Sequence, residues 1–205
     1  MSRIRAAVPD GILAGVMVSV GGTVLLSVDN RYLGAVLFSI ALLVICYFGF
    51  NLYTGKVGFL WNIHGREELS MAFLGLLGNL IGAVLSGILI AAALPQLRET
   101  AIAACEKRLM QLPVQTLLRG FFCGVLMYSA VWIYREKKTV TGILFCIPVF
   151  ILAGFEHSVA DMFYFALAGL CTPKAIAFIL LAVLGNSLGG MLIPAVRSLK
   201  GDRTP

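Results

Sequence analysis

Polar residues fall along this chain so as to leave six long apolar stretches between them, near residues 11–28, 33–54 (running on to about 62), 69–94, 113–134, 140–168 and 174–196. Runs of roughly 20 apolar residues suit a hydrocarbon core about 30 Å thick. The pattern therefore predicts an all-α membrane protein with six transmembrane helices. The second and fifth stretches differ from the others. "GFNLYTGK" from Gly49 and "GFEHSVAD" from Gly154 place glycine and polar residues inside runs that are otherwise apolar. An unpaired backbone group cannot face lipid, so both breaks are expected inside the protein or against a water-filled cavity.

The two breaks correspond. Each opens on Gly-Phe, and each precedes a related segment: "GNLIGAVLSGIL" from Gly78 answers "GNSLGGMLIPAV" from Gly185. Upstream, "GILAGV" from Gly11 answers "GFFCGV" from Gly120. One unit of three spans thus occurs twice within a single transmembrane domain 1–205, near 1–97 and 110–205. Because three is odd, the second copy must insert upside down. Inverted repeats with interrupted helices in matching positions point to a transport site near the bilayer midplane. Gly11 and Gly15, Gly78 and Gly82, Gly120 and Gly124, and Gly185 and Gly189 each stand four apart on one helix face, which predicts close backbone approach between helices.

Composition agrees with the pattern. Of 205 residues, 60% are hydrophobic and 13% charged, and the mean hydropathy is +0.95. A soluble domain of this size has too little interior to hide that much apolar surface. The net charge of +6 sits mostly in loops and tails, so it reports orientation rather than nucleic-acid binding. With the N-terminus inside, the cytoplasmic segments hold ten Lys and Arg against six outside, of 16 in all. This predicts a multi-pass protein of the cell membrane with both termini cytoplasmic. The basic "MSRIRAAVPD" leads into a first span without a clear small-x-small cleavage site, so it reads as a span and not a removed signal peptide. Five cysteines are scattered, mostly inside apolar runs, and show neither metal-ligand spacing nor a disulfide framework. No cofactor is expected.

Chemistry concentrates in the second break. An ionisable side chain at that depth is a functional-site hypothesis by default, and His157 leads because imidazole changes charge in the physiological range. Thr54, from the opposite break, is its natural hydroxyl partner. Either Glu156 or Asp161 is placed to hold the imidazole's second nitrogen or to cap the half-helix beyond the break, and structural roles are expected for both. His64 stands among loop charges and reads as solvated. A membrane enzyme would have to do acid–base work with His157, Glu156 and Asp161, but the chain lacks a nucleophile motif or metal-ligand cluster, so no enzyme is expected.

The segments "NLYTGK", "GNLIGA", "RGFFCGVLMYSAVW", "GFEHSVADMF" and "GNSLGGMLIPA" resemble the formate/nitrite transporter family in order and spacing, over essentially the whole chain. The resemblance implies an aquaporin-like fold, a homopentamer, and a pore in each protomer for small monovalent anions or their conjugate acids. It also implies a central histidine facing a threonine of the opposite broken helix, here His157 and Thr54, between two apolar constrictions. The constriction positions match Phe38, Leu42, Leu52, Tyr53, Met127 and Phe150. The family's vestibule base matches either Lys107 or Arg108, and Lys56 is expected at a vestibule as well. Three positions depart from the family's usual pattern: Gly124 follows Cys123 where Asn is usual, Asp161 stands where Asn is usual, and Lys56 often has an uncharged counterpart. A bare anion is costly in a dry constriction, and a proton from His157 would let formate, nitrite, hydrosulfide or a short carboxylate cross as a neutral acid. A channel for a small neutral solute or a cation on the same fold is the alternative.

Overall fold

We determined the architecture from a computed structural model, which describes residues 2–62 and 65–200. His64 lies outside the described residues. Nine α-helices follow one another there: α1 (Ser2–Ser27), α2 (Arg31–Phe48), α3 (Tyr53–Lys56), α4 (Arg66–Ala93), α5 (Leu97–Leu109), α6 (Pro113–Lys137), α7 (Thr141–Ala153), α8 (Ser158–Ala168) and α9 (Pro173–Leu199). A 3₁₀ turn, Val57–Asn62, continues α3. Helices α1, α2, α4, α6 and α9 are long and apolar enough to cross a membrane, and α7 with α8 forms a sixth crossing bent by 55°.

The breaks arise from one local device used twice. Helix α2 stops at Gly49 and α7 at Gly154, each in the left-handed region with φ +74°, where a side chain would be strained. The next residue then returns its N–H to a carbonyl five positions back: Phe50 to Ile45 and Phe155 to Phe150, both at 3.0 Å. That Schellman-type stop satisfies the last carbonyls and turns the chain off the helix axis. Beyond the stop the two halves differ. The first break leads into a single helical turn and the 3₁₀ segment, whereas the second leads into the 11 residues of α8.

Packing repeats with the same correspondence. α1 lies along α4 as α6 lies along α9. Each short segment after a break packs across into the other half: α3 and its 3₁₀ turn against α6 and α9, and α8 against α1 and α4. Helices α2 and α7 meet between the halves. The glycines noted in the sequence form the crossings. A Cβ on Gly11 would stand 2.7 Å from the Gly75 carbonyl oxygen, and one on Gly82 would meet the Ile12 carbonyl. Gly124, where the resembled family usually has Asn, faces the Asn186 carbonyl and stands so that a Cβ would lie 2.8 Å from the Gly190 nitrogen. A larger residue does not fit that crossing.

Two features depart from the pattern-based expectation. The segment after residue 97 forms helix α5, which packs chiefly on α8. It buries only Leu97, Ala101 and Cys105, a stripe one residue wide at spacing four, too sparse to register as an apolar run. Helix α1 begins at Ser2, ahead of the expected start near 11, because a helix extends past the hydrocarbon without needing apolar residues there.

Gly82→Val should overpack the α1–α4 crossing and destabilise the protein by about 1–3 kcal/mol. Leu85→Val, on the exposed face of the same helix, should change little. Thermal melting in detergent compares them, and equal stability of the two variants would contradict the packing described.

Candidate functional site

Two buried asparagines hold the breaks in shape. In the first half, Asn79 Oδ1 accepts from the Tyr53 N–H, and its Nδ2 donates to the Gly11 and Asn51 carbonyls, all at 2.9 Å. In the second, Asn186 Oδ1 accepts from the Ser158 N–H at 2.9 Å, and Nδ2 donates to the carbonyls of Gly120 at 2.8 Å and Glu156 at 2.9 Å. A neighbouring backbone bond repeats as well: Asn51 N–H to Asp10 O, and Glu156 N–H to Arg119 O. Sequence reasoning does not single out Asn79 and Asn186. Their signal is the "GN" shared by "GNLIGA" and "GNSLGG", an amide at the same place in both halves.

Between the breaks, Thr54 Oγ1 lies 2.8 Å from His157 Nε2. Both residues are buried. His157 caps α8 itself: its Nδ1 accepts from the Ala160 N–H at 3.2 Å. A nitrogen that accepts from an amide carries no proton, so a neutral ring has its proton on Nε2, directed at Thr54 Oγ1. The carboxylates of Glu156 and Asp161 bond elsewhere, and neither caps the helix. The expectation that a carboxylate holds the second nitrogen is corrected here, because the backbone already occupies it.

Apolar residues surround this pair. The Phe150 ring lies over His157 with centroids 5.7 Å apart, and Phe38 meets Phe150 edge-on at 6.1 Å. Leu42, Leu52 and Met127 are buried with them in one cluster. Leu42 and Leu52 also line an open cavity of about 650 Å³, whose charged residues are Asp10, Lys56, Glu68 and Arg135. The Arg135 guanidinium sits 4.5 Å from the Phe59 ring centroid. Tyr53 is held differently from the other constriction candidates: its hydroxyl lies 2.8 Å from Ser187 Oγ on α9.

On the other side, α5 reaches the second break through Arg108. Its Nε lies 3.0 Å from both Glu156 Oε2 and Asp161 Oδ1, its Nη1 donates to the Ala104 carbonyl at 3.1 Å, and its guanidinium stands 4.8 Å from the Tyr164 ring centroid. Burial works to lower the Arg108 pKa, but Asp161 and then Glu156 outweigh it and hold the guanidinium above its ordinary range. Gln111 Nε2 donates to Glu156 Oε1 at 2.6 Å, and Arg119 Nη1 stands 3.9 Å from the same oxygen. Lys107 is exposed and takes no part in this cluster. Of the two vestibule bases left open by the sequence, the structure brings Arg108 alone to the break. No group of three or more metal-ligating side chains occurs among the described residues.

The family profile described as Formate/nitrite transporter matches residues 2–199. The chain is 32% identical over 148 residues to "Uncharacterized transporter YwcJ" of Bacillus subtilis, covering 65% of this chain and 58% of that one. It is 30% identical over 186 residues to "Nitrite transporter NirC" of Salmonella typhimurium, covering 81% and 69%. Across the curated relatives the matched part spans 40% to 69% of their length. A solved structure titled "Pentameric formate channel with formate bound" shares the fold at a TM-score of 0.83 and 22% identity, over 96% of each chain.

Asn186→Ala should leave the Ser158 N–H and two carbonyls without partners, at about 1–3 kcal/mol for each buried group left unpaired. A clearly lowered thermal transition in detergent is expected. A transition unchanged from wild type would mean that the second break keeps its shape without this side chain.

Proposed function

We propose, since this chain belongs to the formate/nitrite transporter family, that it conducts small monovalent anions of weak acids, or the acids themselves, across a membrane. Formate, nitrite, hydrosulfide and short carboxylates are the substrate class. The observation that carries this reading is the Thr54–His157 pair, a donor-bearing imidazole set between two broken helices and stacked under Phe150. Support for assembly as a homopentamer comes from the fold shared with a channel titled pentameric. Both termini are taken as cytoplasmic from the Lys and Arg distribution, which puts the 650 Å³ cavity with Lys56 on the cytoplasmic side.

The pair's geometry supports one order for a proton relay. An anion that reaches His157 can replace Thr54 Oγ1 as the acceptor of the Nε2–H. Passing that proton on from a neutral ring would leave an imidazolate, so the ring must first take up a proton at Nδ1 from bulk water. Doing so releases the Ala160 N–H from its cap. The cation then gives its Nε2 proton to the anion, and the neutral acid crosses the Phe38–Phe150 or Leu42–Leu52 constriction without the desolvation cost of a charge. The ring is left neutral with its proton on Nδ1; release of that proton to water and uptake of another at Nε2 restore the starting tautomer, and the cap re-forms. Lys56 and the half-helix ends lower the cost of bringing an anion to the vestibules.

Flux into proteoliposomes, measured with a panel of weak acids, neutral solutes and cations, tests the reading. Wild-type flux of a weak acid should rise as external pH falls towards the substrate's pKa. His157→Phe should abolish or strongly reduce that acid-linked flux in a protein that still elutes as the wild-type assembly. Thr54→Val deletes one hydroxyl partner worth roughly 0.5–1.5 kcal/mol and should weaken flux more mildly. Unchanged flux and pH dependence in a correctly assembled His157→Phe protein would contradict the role given to His157. Preferential passage of neutral solutes or cations would contradict the substrate class.

A further inference from the structure

The geometry points to a bound proton shared between Asp161 and Glu156, a proton-binding site separate from His157. Two observations converge on it. The first is a shortage of donors. Arg108 Nε carries a single hydrogen, yet both Glu156 Oε2 and Asp161 Oδ1 lie 3.0 Å from that nitrogen, while Nη1 is directed to the Ala104 carbonyl. The second is an orphaned oxygen. Asp161 is wholly buried, and its Oδ2 has no hydrogen-bond partner. Glu156 is better supplied, with Gln111 on Oε1.

Charge counting gives the same result. Two ionised carboxylates against one guanidinium leave the cluster at −1 in a buried setting, where an uncompensated charge is strongly disfavoured. One proton on the carboxyl pair brings the sum to zero and supplies the missing donor, as expected of like-charged carboxyls that share a site. Among the described residues the other cation near the pair is Arg119, whose longer and more exposed ion pair reaches Glu156 alone. From α5, Cys105 faces the cluster besides Arg108, and from α6 come Cys123 and Arg119. Arg119 stands off at 3.9 Å with its side chain 45% exposed. Tyr164 is the other titratable group on α8 near Asp161. Helices α1, α4 and α9, which also pack on α8, carry their ionisable residues towards their ends: Arg3, Arg5 and Asp10; Arg66, Glu67 and Glu68; Lys174 and Arg197.

The site lies on the first turn of α8, where Asp161 N–H bonds to the His157 carbonyl at 2.9 Å. Loss of its proton would add a negative charge beside the break. On the anion reading above, on which this consequence rests, flux falls when that proton is lost, so the pair keeps the second vestibule passable.

Infrared spectra of the protein in lipid near neutral pH, in H₂O and D₂O, test the site. Wild type should show the carbonyl stretch of a protonated carboxyl group, shifted to lower frequency by exchange. The band should vanish in Asp161→Asn and also in Glu156→Gln, since either substitution leaves one acid for Arg108 to balance. It should persist in Asp10→Asn. Asp161→Asn should also assemble and melt as wild type does, because an amide matches a protonated carboxyl in shape and neutrality. A wild-type spectrum without the band, a band that survives both substitutions, or collapse of the Asp161→Asn fold would each overturn the proposal. The spectrum does not depend on flux, so a failed transport assay leaves this result standing, and the reverse holds as well.

Discussion

Hydrocarbon offers no partner to a backbone N–H or C=O, and a helix broken at mid-membrane must find those partners inside the protein. The fold depends on how that requirement is met. Asn79 and Asn186 each supply one acceptor and two donors to the non-helical stretch of the break in their own half and to the neighbouring helix. Because each asparagine sits in a helix packed through glycine onto α1 or α6, the close backbone approach and the polar bridge require one another. Remove the glycine and the amide cannot reach; remove the amide and three hydrogen bonds are lost around each break.

The same geometry produces the site. Once the two breaks are pinned, Thr54 at the start of α3 and His157 at the cap of α8 arrive 2.8 Å apart, each carried by a different half. The Ala160 N–H then decides which imidazole nitrogen bears the proton. Phe38, Leu42, Leu52, Met127 and Phe150 shield the pair, and the Nε2–H is the donor that the ring keeps free of the backbone. On the far side, α5 brings Arg108 against Glu156 and Asp161, which ties the connection between the halves to the residue just before His157.

Much of this is readable from the chain. The Gly-Phe stops, the polar interruptions and the paired "GN" segments announce two mirrored breaks, and a titratable residue in one of them singles out His157. Other features stay hidden for physical reasons. Asparagines inside apolar runs look like minor blemishes until the carbonyls they serve are placed in space. Helix α5 shows no apolar stripe beyond Leu97, Ala101 and Cys105, so periodicity does not reveal it. Glu156 and Asp161 flank the histidine in sequence and invite a direct partnership, but the extended backbone at the cap turns them towards Arg108 instead. Spacing along the chain does not report that turn.

The central claim is that His157 is a neutral, Nε2-protonated donor whose other nitrogen is fixed by the backbone of α8. The chain has two histidines, so a His64→Gln variant leaves one imidazole to observe. Nitrogen NMR of that protein, labelled at histidine and reconstituted in lipid near neutral pH, reads the tautomer directly. The account expects a proton on Nε2 and an unprotonated, hydrogen-bond-accepting Nδ1, with the Nε2 signal shifted by Thr54→Val. A proton on Nδ1, or an Nε2 signal indifferent to Thr54, would contradict it.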